Sequence, residues 1–346
     1  MPWTTIEVEK QDKFVIMDDS QNGRMLSYKD ALYEAMDQSL ERDPRVFVMG
    51  EGVDDPGGVF GTTKGLHEKY GRERIFDTPI AENALTGIAA GAAMAGLRPV
   101  FVHSRMDFLL LSFDQLVNHA AKWSYMTGGK VSVPMVVRTV SARGWGSGAQ
   151  HSQCLQGMLM NVPGLKIAAP ATPYDAKGLL ISSIIDNNPV LFVEHRWLYK
   201  TVGNVPDTLY SIPFGKGVVR RAGKDVTIVA VSYMLVEALK AAEKLQAQNI
   251  SAEVIDLRTI KPIDEDIILE SLAKTGKLII TDTGWKTGGV AAEIAALVAE
   301  KAVHMLKKPV VRVCCPDIPT PAGDLQEKAF YPDFETICTK AVELMK

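Results

Sequence analysis

Apolar positions recur along this chain with two periods. Between Ser27 and Leu40 they fall at Ala31, Leu32, Ala35, Met36 and Leu40, the spacing of one helix face. Short apolar and β-branched runs at 45–49, 100–102, 135–139, 166–169 and 190–193 read as strands, with helices at 113–126 and 174–185 between them. Strand and helix alternate, which predicts a parallel sheet. Residues 203–224 break the rhythm with two prolines, four glycines and four basic residues, and read as a linker. Beyond them the alternation restarts, with strands at 226–231, 252–255, 277–281 and 310–313 and helices at 235–248, 265–273 and 290–303. The pattern predicts a two-domain α/β protein: an N-terminal extension (1–23), a first domain (24–202), the linker, and a smaller second domain (225–346). There is no internal repeat and no low-complexity tract.

Composition narrows the function classes. The 346 residues are 47% hydrophobic, enough for two buried cores. With 38 basic against 41 acidic residues, the net charge of -3 speaks against nucleic acid or an anionic membrane as partner. The four cysteines, Cys154, Cys314, Cys315 and Cys338, show no C-x-x-C spacing, so neither a zinc site nor a redox pair is expected and a reducing compartment is. The N-terminus lacks the basic start and apolar stretch of a signal peptide, and the run 84–97 is too short to span a bilayer. The chain reads as cytoplasmic.

Three segments carry candidate chemistry. In the first, Pro79 leads into Glu82 at the start of an Ala/Gly-rich helix, Ala84-Leu85-Thr86-Gly87-Ile88-Ala89-Ala90-Gly91, whose small face lets another backbone come close. A first-turn carboxylate complements the helix dipole, but an acid set beside Ile80, Ala81 and that helix would be buried, and a buried carboxylate needs a partner. The second places Gln115, Asn118, Lys122 and Tyr125 three or four apart, as on one helix face. The third, Gly144-Trp145-Gly146-Ser147-Gly148-Ala149-Gln150-His151-Ser152-Gln153, is a glycine-rich loop after a predicted strand. There a histidine is as well suited to proton transfer as to a structural role.

Four runs, Asp77-Thr78-Pro79-Ile80-x-Glu82, Gly91-Ala92-Ala93-Met94-Ala95-Gly96-Leu97-Arg98-Pro99, the Asp114-Gln115 helix ending in Tyr125-Met126-x-Gly128-Gly129, and Gln150-His151-Ser152-Gln153, fall in an order that resembles the β subunit of the thiamine-diphosphate-dependent 2-oxo acid dehydrogenases. Pro163-Gly164-Leu165-Lys166, Asp186-Asn187-Asn188-Pro189 and Leu257-Arg258-Thr259-Ile260-x-Pro262 continue it, so that it covers nearly everything after Arg24. The resemblance implies a pyrimidine-binding transketolase-like parallel sheet followed by a transketolase C-terminal-like domain. It implies that Glu82 hydrogen-bonds the aminopyrimidine ring nitrogen, which strengthens the internal base of the cofactor. His151 then donates a proton and stabilises charge during acyl transfer to a lipoyl arm. By the same resemblance Ile80 and Phe108 correspond to apolar residues that pack on the ring, although such surface serves equally as plain core. It implies a potassium site of main-chain oxygens falling on Met135, Ser183, Ile184, Asp186 and Asn188, where the run Asp186-Asn187-Asn188-Pro189 also suits a plain helix-to-strand turn.

The chain has no Gly-Asp-Gly start to a magnesium and diphosphate site; Gly323-Asp324-Leu325, in the second domain, is the nearest match. The resemblance therefore implies an α subunit holding the metal and diphosphate, an α2β2 assembly and a lipoyl acyltransferase as downstream partner. The run Val102-His103-Ser104-Arg105-Met106-Asp107 departs from the family pattern, as do Arg143 and Trp145. A guanidinium suits a carboxylate or phosphate, so either the 2-oxo acid or acyl acceptor differs from the usual one or both arginines simply lie on the surface. The alternatives are the C-terminal half of a split transketolase-like enzyme and a catalytically silent scaffold.

Overall fold

A computed structural model describes residues 14–16, 23–142 and 146–346. The chain divides into two compact units, one of Met1–Ser141, Asn161–Ala168 and Thr172–Phe214, the other of Ala142–Met160, Ala169–Ala171 and Gly215–Lys346.

In chain order the elements up to the unit boundary are β1 (Arg24–Ser27), α1 (Tyr28–Arg42), β2 (Val46–Gly50), α2 (Leu66–Tyr70), β3 (Ile75–Phe76), α3 (Glu82–Met94), β4 (Arg98–His103), α4 (Met106–Leu109), α5 (Ala121–Met126), β5 (Val136–Ser141), α6 (Gln156–Met160), β6 (Lys166–Ala168), α7 (Pro173–Ile185), β7 (Val190–His195) and β8 (Val202–Val205). All but α6 belong to the first unit, whose strands run β6-β7-β5-β4-β2-β3, all parallel. β2, β5 and β7 are buried at every position, as strands covered by helices on both faces must be. Helix starts follow local chemistry. The Ser27 hydroxyl accepts from the Asp30 amide at 3.3 Å, and Thr172 caps α7 from the Asp175 amide at 3.1 Å with Pro173 in the first turn. α1 lays Ala31, Leu32, Ala35, Met36 and Leu40 inward, as their spacing predicts.

Two expectations change here. The predicted helix 113–126 opens as a π-helix over Asp114–Ala120 before turning α-helical. Asn118 and Gln115 bond Asp114, Lys122 reaches the Pro163 carbonyl, and Tyr125 is exposed, as a solvated or capping set of side chains would be. Within 203–224, part of β8 and all of β9 (Val218–Arg221) are strands. β8 pairs antiparallel with β1, a contact distant in sequence and invisible to local periodicity.

The second unit continues with β10 (Val226–Ala230), α8 (Met234–Gln246), β11 (Ala252–Asp256), β12 (Thr259–Lys261), α9 (Glu265–Thr275), β13 (Leu278–Trp285), α10 (Val290–Ala302), β14 (Val311–Cys315), α11 (Asp324–Phe330) and α12 (Phe334–Met345). Its sheet order is β14-β13-β10-β11-β9, parallel except for the edge strand β9. Among the described residues no helix is long and apolar enough to cross a membrane.

Candidate active site

The carboxyl ends of parallel strands are where α/β folds gather their chemistry, and in the first unit β2 and β3 end in acids. β2 closes on Gly50, whose φ of +142° brings it so near β4 that an added Cβ would lie 2.3 Å from the Val102 carbonyl oxygen. Glu51 follows at once. Asp77 follows β3 and accepts the Gly52 amide at 2.7 Å. Glu82 opens α3 and is 8% exposed. Burial, then the negative charges of Glu82 and Asp77, raise the Glu51 carboxyl above its ordinary value. The three acids thus form one electrostatic cluster.

The helix end beneath Glu82 is fixed by hydroxyls. Thr86 Oγ1 and Ser112 Oγ both donate to the Glu82 carbonyl, at 2.7 and 3.0 Å. His103 Nε2 stands 3.4 Å from Thr86 Oγ1, and the ring stacks obliquely on Phe101. Burial pushes the His103 imidazole down to about 4, so it is neutral at physiological pH.

Two apolar side chains of these segments keep surface exposed. Ile80 is 78% exposed and Phe108 37%, the latter on α4 just before the turn that carries Ser112. Arg105 lies half-buried with its guanidinium 5.8 Å from the Phe60 ring centroid, and Arg196 packs on the same ring at 4.3 Å. Burial and the neighbouring Arg105 charge lower Arg196 to about 10, although Tyr199 opposes the shift.

His151 belongs to the segment Ala142–Met160 of the second unit and is exposed, its amide bonded to the Gly148 carbonyl at 3.3 Å. Glu82 and His151 therefore sit on different units. Arg143 and Trp145 lie outside the described residues. Met135, Ser183, Ile184, Asp186 and Asn188 come together between the end of α7 and the start of β7. Met135 O accepts the Val190 amide, and Arg98 Nη1 donates to the carbonyls of Ile184 and Asp186, each at 2.9 Å. An open cavity of about 500 Å3 adjoins them, lined in part by Asp186, Asn188, Ser211 and Phe214. Among the described residues no cluster of His, Cys, Asp and Glu is built to hold a metal ion.

The transketolase pyrimidine-binding domain matches residues 24–201 and the transketolase C-terminal domain residues 215–337. The β subunit of acetoin:2,6-dichlorophenolindophenol oxidoreductase from Cupriavidus necator is 44% identical over 333 residues, 93% of this chain and 98% of its own. The 2-oxoisovalerate dehydrogenase β subunit of Bacillus subtilis is 43% identical over 308 residues (88% and 94%), and the mitochondrial pyruvate dehydrogenase E1 β-1 subunit of Arabidopsis thaliana 44% over 316 (90% and 87%). The chain belongs to the β-subunit family of the pyruvate, branched-chain and acetoin dehydrogenases. A split-gene transketolase, described as an inactive β4 tetramer, shares the fold at a TM-score of 0.75 and 23% identity, over 92% of this chain and 98% of that one. The family's two-domain α/β architecture is the one expected from the alternation of elements.

For this family member, Glu51 and His103 gained no role from sequence reasoning. The signal for Glu51 was its place at a strand's carboxyl end. For His103 there was none, because its neutrality comes from burial that only the fold creates.

Proposed function

We propose that this chain is the β half of a thiamine-diphosphate-dependent 2-oxo acid dehydrogenase whose site is completed by an α subunit. The observation that carries the reading is the buried Glu82 at the start of α3, with Ile80 and Phe108 exposed beside it. Bound thiamine diphosphate would supply a carbon nucleophile and an electron sink for decarboxylation. Glu82 would hold a proton against the pyrimidine ring nitrogen. Ile80 and Phe108 would orient the ring and exclude water from it. His151 would donate a proton and stabilise charge as the acyl group passes to a lipoyl arm of an acyltransferase.

With no Gly-Asp-Gly run anywhere in the sequence, the α chain would hold the magnesium and diphosphate, in an α2β2 assembly. The carbonyls of Met135, Ser183 and Ile184 with Asp186 and Asn188 would take potassium through the lone pairs that Arg98 and Val190 leave. Half-buried Arg105 beside Phe60 supports a substrate or acceptor different from the usual one. Co-expression with an α chain of the family, followed by decarboxylation assays on pyruvate and branched-chain 2-oxo acids, tests the reading. Turnover that requires both chains and collapses in Glu82→Gln is expected. Normal turnover in Glu82→Gln would refute the role of Glu82, and full activity on pyruvate the altered specificity.

A further inference from the structure

The loop that carries His151 is tied to the second unit at several points, all within that unit. Gly146 sits so close to Ala322 that an added Cβ would lie 2.8 Å from its carbonyl oxygen. Tyr331 donates its hydroxyl to the Ser152 carbonyl at 3.3 Å, and Cys154 Sγ reaches Thr283 Oγ1 at 3.3 Å. Gly157, in the first turn of α6, leaves only 3.0 Å between an added Cβ and Gly289 Cα. Most of these are sulfur, backbone or van der Waals contacts. One is different in kind: Gln156 Nε2 donates to Asp282 Oδ1 at 3.1 Å, and both side chains are buried.

Asp282 lies near the carboxyl end of β13 and is 1% exposed. Its other oxygen faces Gly284, where a Cβ would meet Oδ2 at 2.8 Å and the Cys154 carbonyl at 3.5 Å, so the glycine lets the carboxylate and the loop backbone share one small space. The amides of Thr283 and Gly284 also donate to the carboxylate. Across the pair, Gln156 Oε1 is buried with no hydrogen-bond partner among the described residues. The carboxylate thus takes three donors, of which Gln156 is the one side chain, and the buried amide oxygen of Gln156 is left over. Nothing in the proposed chemistry explains why a buried charge should be kept here.

We propose that Asp282, acting through Gln156, is a positioning residue that holds the loop bearing His151 in the presentation needed for acyl transfer. The inference rests on the proton-transfer role given to His151 above. Ionised Asp282 keeps the Gln156 amide nitrogen turned toward β13 and so fixes the first residue of α6, five residues from His151. Protonated Asp282 becomes a donor, and the amide would turn over to present Oε1 instead. Burial raises Asp282 to about 6 against its three hydrogen-bond donors, which puts that change near physiological pH. The titratable and charged groups beside it are Cys314 on β14, whose thiol burial and the Asp282 charge push up to about 12, and Arg312 and Lys286, which act on that same thiol.

The test uses the complex with its α chain and the variants Asp282→Asn and Gln156→Ala. Amide hydrogen exchange over 146–160 reads the anchor directly. Turnover with 2,6-dichlorophenolindophenol as electron acceptor is compared with acyl transfer to an isolated lipoyl domain. Both variants should exchange faster in the loop and lose roughly tenfold or more in acyl transfer while dye-coupled turnover stays within about threefold, and Asp282→Asn should flatten the pH profile of transfer between 5 and 7. Normal wild-type transfer, with loop exchange and transfer unchanged in both variants, overturns the positioning role alone. A wild-type complex that decarboxylates but moves no acyl group overturns the role of His151 on which it rests.

Discussion

Replacing Glu194 by Gln should destabilise the first unit by about 3–5 kcal/mol, because it strands a buried guanidinium. Arg138 on β5 donates Nε to Glu194 Oε1 at 2.7 Å and Nη2 to Oε2 at 2.9 Å, with both side chains 1% exposed. Tyr199 donates its hydroxyl to Oε2 at 2.7 Å, and Arg138 Nη1 reaches Met36 Sδ at 3.0 Å on α1. Burial opposes the Arg138 charge, but Glu194's charge and hydrogen bonds outweigh it, and the guanidinium is held more firmly protonated than usual. The amide of Gln would keep one acceptor and turn an N–H toward a guanidinium N–H. Arg138→Met should cost a similar amount by leaving the carboxylate with Tyr199 alone. The double variant Arg138→Met/Glu194→Leu should cost less than either single change, since neither charge remains to be desolvated. Native-state hydrogen exchange of β5 and β7 amides gives the free energies for the first unit without requiring two-state unfolding of the whole chain. Single variants costing under about 1 kcal/mol, or a double variant costing their sum, would refute the reasoning.

Other consequences can be checked separately. Glu82→Gln should lower the Glu51 carboxyl toward its ordinary value, since a repelling charge is removed; carbonyl-labelled NMR titration reads it, and an unmoved Glu51 would contradict the acidic cluster. Asp282 is raised from 3.8 to about 6, so between those values the native state binds more protons than the unfolded one and stability falls as pH rises. The loss is about 3 kcal/mol in all, present below pH 4 and gone above 6; wild type compared with Asp282→Asn by denaturant unfolding at pH 4 and 7 isolates it, and a difference growing the other way would refute it. Potassium should raise the melting temperature relative to choline at equal ionic strength. Equal melting in both salts would remove the ion.

Much of the fold was legible because its parallel strands are buried along their whole length and its helices carry clear stripes. β2 and the first four residues of β7 read as apolar runs, β5 is rich in β-branched residues, and α1 repeats at helical spacing. What escaped depends on distant partners. β8 is a strand because β1 pairs with it, and Asp114–Ala120 widens to a π-helix although its residues repeat with α-helical spacing. The acid at Glu82 was legible from Pro79 and the Ala/Gly helix, and its burial agrees with that setting. The neutral state of His103 and the hold of Asp282 on Gln156 were not, since both arise from burial among groups remote in sequence.

The central claim is that Glu82 activates the cofactor. It is tested most directly by the exchange rate of the thiazolium C2 proton of thiamine diphosphate bound to the complex of this chain with its α partner, read by NMR after acid quench in deuterium oxide. The account predicts that Glu82→Gln slows exchange by on the order of a hundredfold or more while the cofactor stays bound. Exchange in the variant as fast as in the wild type would contradict it.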